Sequence, residues 1–216
     1  MINKSTRPPS ISVRRQSLTI AVLLTLAVVL LLVQFGSLVA WDAKAIRYPF
    51  GLEYGEGMVW QQMRLILSGH AYGPIQDVPA IVFQYPPLYY LVVGGLSRAT
   101  SWDELACGRL VSVAAAGFVL LFAALIVFQA LRRECQARAA LACAIVCALA
   151  IASFIPMQRF SALMRVDMTA LAFSFAGVFL GLRALNRPRL VHFPQFALQH
   201  RFLQSKHLLP HRLLHF

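Results

Sequence analysis

Four stretches of mostly apolar residues recur along the chain, separated by segments that carry most of the charge. A helix that crosses a bilayer needs about 20 such residues, and the stretches approach that length at residues 18–40, 110–131, 139–156 and 168–185, the third being the shortest. The first run is longer than the ~7–15-residue core of a signal peptide, and no small-x-small cleavage site follows it before Trp41. We interpret it as an anchor. The pattern predicts an all-α, polytopic membrane helical bundle with about four transmembrane helices.

The composition agrees with this class. Hydrophobic residues make up 59% of the 216 positions, charged residues 13%, and the mean hydropathy is +0.66, values that are typical of an integral membrane protein. The net charge of +12 could suggest a nucleic-acid partner. However, the basic residues flank the apolar runs and crowd the tail, so we interpret them as a topology signal and as contacts to membrane lipids, with no nucleic acid expected.

The positions of lysine and arginine predict the orientation, because cytoplasmic loops are enriched in both. Basic residues precede the first apolar run, join the second to the third, and follow the fourth: Lys4, Arg7, Arg14, Arg15, Arg132, Arg133, Arg138, Arg183, Arg187 and Arg189. This places the N-terminus (1–17) in the cytoplasm. The loop 41–108 and the turn 157–167 are then expected outside.

Two helices are predicted within this outer loop. Residues 56–67 have one apolar face and stop at Ser68-Gly69, as an amphipathic helix does. The apolar run Leu88–Leu96 is too short to cross and is broken by Gly94-Gly95. We therefore expect interfacial helices here, after the extended Tyr85-Pro86-Pro87 entry.

Three carboxylates are expected to meet at the outer face. Glu53 and Glu56 lie in the outer loop and Asp167 ends the outer turn, next to Arg165. Carboxylates at the ends of membrane helices are costly to desolvate, so their convergence predicts a functional site. Solvated loop charge is the alternative.

The order of these motifs resembles a known family. It comprises an acidic motif after the first span, a helix running into Ser68-Gly69-His70-Ala71-Tyr72, then Tyr85-Pro86-Pro87-Leu88-Tyr89, Gly108-Arg109-Leu110 opening a span, and Arg165-Val166-Asp167 opening the next. This order is similar to that of membrane glycosyltransferases of the GT-C superfamily, in the protein-mannosyltransferase and aminoarabinose-transferase-like branch. The resemblance covers roughly residues 18–187, the N-terminal part of such an enzyme.

The resemblance implies sugar transfer from a polyprenyl-phosphate carrier to an acceptor at the outer face of a bacterial inner membrane. Family members commonly carry adjacent Asp-Glu in the first outer loop. Here Gly55 stands at the Asp position, Glu56 fits the second acid, and Glu53 is the alternative base. Asp167 matches an acid that would help to place a divalent metal ion or the acceptor.

Sugar transfer from a lipid phosphate needs carboxylates and cations, the residue types found in these motifs. A carboxylate must take the proton of the acceptor hydroxyl, and cations must stabilise the departing phosphate. Arg165, Arg64 and Arg109 are the candidate phosphate partners, although Arg165 could instead extend to lipid headgroups. Tyr85 and Tyr89 are candidate substrate-binding residues, with an interfacial aromatic belt as the alternative.

The amino-acid composition changes in the tail, 188–216. It holds five of the six histidines and no acidic residue, and it does not resemble the family. We interpret it as a non-native or disordered end of a truncated product, which could lack activity alone; a basic segment that binds the membrane surface is the alternative. A small non-catalytic four-helix membrane protein with a binding or structural role remains the second hypothesis for the whole chain.

Overall fold

The computed structural model describes residues 11–72, 76 and 82–185, with side chains from residue 16 onward. Seven helices form this part of the chain, so the all-α prediction is confirmed. They are α1 (Ile11–Arg47), α2 (Tyr54–Leu67), α3 (Leu88–Thr100), α4 (Glu104–Leu131), α5 (Ala137–Ala152), α6 (Ile155–Phe160) and α7 (Asp167–Leu185). The interpretation of the tail, 188–216, lies outside the described residues.

Three helices are long and apolar enough to cross a membrane, at Gln16–Arg47, Glu104–Leu131 and Asp167–Leu185. The remaining predicted span corresponds to α5, an apolar helix of 16 residues. At a rise of 1.5 Å per residue, α5 is about 24 Å long, less than the ~30 Å hydrocarbon core. The four-span topology therefore remains a prediction for α5.

The ends of the outer-loop helices follow from local chemistry. Glu53 is the N-cap of α2, where its side chain accepts the Gly55 N–H, and Asp103 caps α4 in the same way. α2 ends at Leu67, and Gly69 follows with φ of +78°, a conformation that favours glycine. The predicted helix stop at Ser68-Gly69 is thus confirmed.

The chain divides into two units, Met1–Gly177 and Val178–Phe216. The first unit has two buried apolar clusters. One joins α1, α4, α5, α6 and α7 through Leu38, Ala115, Ala116, Val119, Ala152, Met157, Met168 and Ala172. The other joins α2, α3, α4 and the turn before α7 through Val59, Met63, Tyr89, Tyr90, Val93, Cys107, Met164 and Val166. The described part of the second unit, 178–185, is helical throughout and ends α7.

Gly108 allows α4 to pack closely against the turn before α7, because a Cβ built there would overlap the side chain of Met164. We expect Gly108→Val to lower the free energy of unfolding by about 1–3 kcal/mol, the usual cost of overpacking. Gly117→Val is the matched control on the same helix, since a Cβ at that position would have no described neighbour within 4 Å. Unfolding in mixed detergent micelles measures both variants. Equal stabilities would show that this contact tolerates the added side chain.

Candidate functional site

A buried ion pair joins α2 to α4. The Glu56 carboxylate accepts two hydrogen bonds from Arg109, from Nε to Oε1 at 2.9 Å and from Nη2 to Oε2 at 2.8 Å. Both side chains have an exposed fraction of 0%. Charges this deeply buried are found where every hydrogen-bonding position is satisfied.

The remaining positions of the pair are filled by backbone groups. Arg109 donates to three carbonyl oxygens in the segment that ends α1 and leads to α2, those of Ala45, Tyr48 and Phe50, at 2.8, 2.6 and 2.6 Å. Glu56 also accepts the N–H groups of Leu52 and Met164, at 2.6 and 2.8 Å. All five N–H groups of Arg109 therefore have acceptors, and the pair links α1, α2, α4 and the turn before α7.

These contacts decide the charge state of Glu56. Burial alone would raise the pKa of Glu56, but the hydrogen bonds from Arg109 and from the Met164 and Leu52 N–H groups outweigh it and hold the pKa below its ordinary value. The carboxylate is ionised and already saturated with donors. Glu56 was predicted as the base and Arg109 as a phosphate-binding residue. In the structure they bind each other, and this arrangement favours a structural role for both.

A second, partly exposed cluster lies where the predicted outer loop and turn meet. Arg165 Nε donates to Asp167 Oδ2 at 2.8 Å, and Arg165 Nη1 lies 3.6 Å from Glu53 Oε2. The exposed fractions of the side chains are 29% for Arg165, 40% for Glu53 and 46% for Asp167. The structure thus brings Glu53 and Asp167 to one guanidinium, whereas Glu56, the third carboxylate expected there, pairs with Arg109.

The turn that carries Arg165 is fixed by three helices. On α1, Asp42 Oδ1 accepts a hydrogen bond from Ser161 Oγ at 2.6 Å. On α2, Glu56 accepts the Met164 N–H, and on α4, Ser112 Oγ donates to the Arg165 carbonyl at 3.2 Å. Arg165 is therefore held on a rigid support.

Asp42 and Ser161 are buried, and neither contact was predicted from the sequence. The available signal was an acidic residue at the end of a long apolar run, which marks a candidate functional or structural contact.

Two hollows are lined by residues of this cluster or by residues close to it in the chain. A pocket of about 80 Å³ is lined by Tyr85, Arg165 and Asp167 together with residues of α2. A larger groove of about 520 Å³ runs between α3, α4 and the part of α7 in the first unit, with an almost wholly apolar wall that includes Leu88, Phe118, Phe122, Thr169 and Phe173. Asp167 of the pocket and Thr169 of the groove belong to the first turn of α7, while Tyr85 of the pocket precedes α3 and Leu88 of the groove begins it.

The other predicted site residues lie apart from the cluster or support it. Tyr89 is buried and donates to the Gly108 carbonyl at 3.0 Å, and burial raises its pKa well above the ordinary range. Arg64 stacks on the Trp60 ring, with its Cζ 5.1 Å from the ring centroid, and lies 4.0 Å from Glu104. Tyr85 lines the small pocket beside Arg165. Arg64 lies on a different surface.

The residues of the cluster do not fit the divalent metal that the resemblance implied at Asp167. Within the described ranges, no three His, Cys, Asp or Glu side chains are grouped to hold a metal ion. The two carboxylates that do converge, Glu53 and Asp167, already contact the Arg165 guanidinium. A metal ion bound to both would have to displace that cation.

Comparisons of the chain with protein-family models, with curated proteins and with solved structures found no match in any of the three. The geometry therefore carries the functional argument.

Proposed function

We propose that this protein is a membrane glycosyltransferase resembling the GT-C superfamily, acting on a polyprenyl-phosphate sugar at the non-cytoplasmic face. The observation that carries the proposal is the link between the Glu53–Arg165–Asp167 cluster and the apolar groove. Tyr89 of the groove wall contacts Ser112 Oγ at 3.2 Å, and Ser112 donates to the Arg165 carbonyl. The polar pocket and the groove are also close in the chain, since Tyr85 and Asp167 line the pocket and Leu88 and Thr169 line the groove.

This arrangement suits an amphiphile with an anionic head. From Val111 to Phe122, α4 contributes to the groove wall, a rise of about 16 Å at 1.5 Å per residue. An isoprenoid tail is an apolar chain that such a wall can cover. The head would then lie beside Arg165, whose planar guanidinium suits phosphate oxygens.

Arg165 is prepared for this contact. Its Nε and Nη1 face the two carboxylates, while Nη2 makes no hydrogen bond to any other described residue. Asp167 is thus a positioning residue for the guanidinium. Because the cation is fixed before the donor arrives, less conformational entropy is lost on binding.

Glu53 is the base in this proposal. Its side chain is partly exposed, and a carboxylate in such a position can accept a proton from an acceptor hydroxyl. The acceptor oxygen attacks the anomeric carbon as its proton passes to Glu53. The bond between that carbon and the phosphate oxygen breaks, and the phosphate leaves with the bonding electrons beside Arg165. Glu56 takes no part in the step, since its oxygens are occupied by Arg109 and backbone N–H groups.

Binding of polyprenyl phosphate to the detergent-solubilised chain tests the proposal. We expect Arg165→Ala to weaken binding at least about 10-fold, because a charge-assisted contact contributes on the order of 1.5–3 kcal/mol. Arg159→Ala is the matched control, an exposed arginine of α6 six residues away. The corresponding polyprenol, which lacks the phosphate, should bind both variants equally. Equal binding of the phosphate by wild type and Arg165→Ala would refute this role, and no binding by wild type would favour a non-catalytic membrane protein.

A further inference from the structure

A third hollow, with a basic wall, lies beside the C-terminal end of α2. It has a volume of about 260 Å³ and is lined by Arg64, Leu67 and Ser68 of the α2 end, by Gly94, Ser97 and Arg98 of α3, and by Glu104 at the start of α4. The residues of α2 that line the small pocket beside Arg165 are different ones. This hollow is therefore separate from that pocket.

The two arginines of this hollow are not used to cap their own helices. Arginine in the last turn of a helix commonly donates to the terminal carbonyl groups. In α2, the Ser68 N–H reaches the Arg64 and Ile66 carbonyls, and Ser68 Oγ donates to Leu65. In α3, the Ser101 N–H reaches the Ser97 carbonyl. The carbonyls have these partners, and neither guanidinium hydrogen-bonds to any residue in the described part of the chain.

Among the described residues, the only acidic side chain that lines the hollow, Glu104, is already engaged. Its Oε2 accepts a hydrogen bond from the Trp60 indole N–H and lies 4.0 Å from Arg64 Nε. Arg98 has no acidic partner in the same part of the chain. With two guanidinium groups and one carboxylate, the hollow carries a formal charge of +1, and most of its N–H donors have no acceptor among these residues.

We infer that this hollow binds a phosphate group between Arg64 and Arg98. Phosphate oxygens accept several hydrogen bonds at once, and the planar guanidinium presents paired donors that match them. The Trp60 ring supports Arg64 from one side, with its centroid 5.1 Å from Cζ. Glu104 opens the α4 span, so the hollow lies at one end of that helix, where lipid phosphates are found. The ligand is thus a lipid headgroup phosphate or a free phosphate.

The inference is tested on the full chain in a neutral detergent, by native mass spectrometry with added phosphatidylglycerol and by calorimetry with inorganic phosphate. We expect the double variant Arg64→Gln/Arg98→Gln to lose at least about 10-fold in affinity for the species that wild type binds. Arg47→Gln/Arg159→Gln is the matched control, because it removes two exposed arginines that do not line the hollow and should leave that affinity unchanged.

Comparing phosphatidylglycerol with inorganic phosphate shows which kind of phosphate the hollow binds. Retention of phosphatidylglycerol without affinity for inorganic phosphate identifies a lipid headgroup site, and the reverse identifies a site for free phosphate. If wild type binds neither, or if the double variant and the control variant lose affinity equally, the inference is wrong. None of these measurements uses a sugar carrier, so failure here leaves the proposed transferase function untouched.

Discussion

Replacing Arg109 by alanine is expected to lower the free energy of unfolding by about 3–5 kcal/mol, because it leaves the buried Glu56 carboxylate without its cation. It also leaves the carbonyls of Ala45, Tyr48 and Phe50 without their donors. Whole domains are stable by only about 5–15 kcal/mol, so this loss is the largest we predict. Arg165→Ala removes a partly exposed arginine and should cost about 1 kcal/mol or less.

The reactivity of the native Cys107 thiol measures this loss of stability. This residue is fully buried close to the ion pair in sequence, two positions before Arg109, whereas Cys135 is exposed. In Arg109→Ala, a thiol reagent should modify Cys107 at a denaturant concentration at which wild type protects it, with Cys135 modified equally in both. Protection of Cys107 equal to that in wild type would show that the ion pair does not hold α4 against α2.

The same pair predicts a dependence of stability on pH. In the folded chain the pKa of Glu56 is lowered below its ordinary value of 4.5. The unfolded chain therefore takes up the proton at a higher pH than the folded chain does. The stability from the ionised carboxylate is therefore fully present above the unfolded pKa and is lost as the pH falls through the folded pKa. Glu56→Gln should be less stable than wild type at pH 7, and the difference should shrink in acid. A constant difference from pH 7 to pH 3 would contradict this assignment.

Replacing Glu53 by glutamine should reduce sugar transfer from a polyprenyl-phosphate sugar by at least about 10²-fold, because the variant keeps the shape but removes the base. Glutamine retains an oxygen that can cap the Gly55 N–H, so stability should change little. Release of labelled sugar from the carrier measures turnover. Carrier affinity should stay near the wild-type value, since Arg165 remains in place.

Glu104→Gln is the control for this effect, because Glu104 is a partly exposed acid that contacts Trp60 rather than the cluster. Turnover by Glu104→Gln should match wild type. Asp167→Asn should instead weaken carrier binding, because the guanidinium of Arg165 loses its closest anionic contact at 2.8 Å. Unchanged turnover in Glu53→Gln would show that Glu53 is not the catalytic base.

Much of the architecture could be read from the sequence because it depends on local pattern. Apolar runs of membrane length became α1, α4 and α7, and the Ser68-Gly69 stop ended α2. α5 was harder to predict, since its 16 residues fall near the limit at which length separates a span from a buried helix.

The partner of each charged side chain could not be read from the sequence. Glu53 and Glu56 are three residues apart, yet the first caps α2 from outside and the second points into the bundle. The Glu56 contact to Arg109 spans 53 positions, and the Asp42 contact to Ser161 spans 119. Such pairings depend on how helices pack. The one useful local signal was an ionisable residue within or at the end of an apolar helix, because such a side chain needs a partner.

Photolabelling with a diazirine-bearing polyprenyl phosphate tests the central claim most directly, because it needs neither the acceptor nor turnover. The labelled peptides should come from the walls of the apolar groove on α3, α4 and α7, with Leu88, Phe118 and Phe173 among the modified residues. Labelling should fall in Arg165→Ala and persist in Arg159→Ala. Label spread over the exposed apolar surface of α1, at residues such as Leu23 and Leu30, with no dependence on Arg165, would contradict the account.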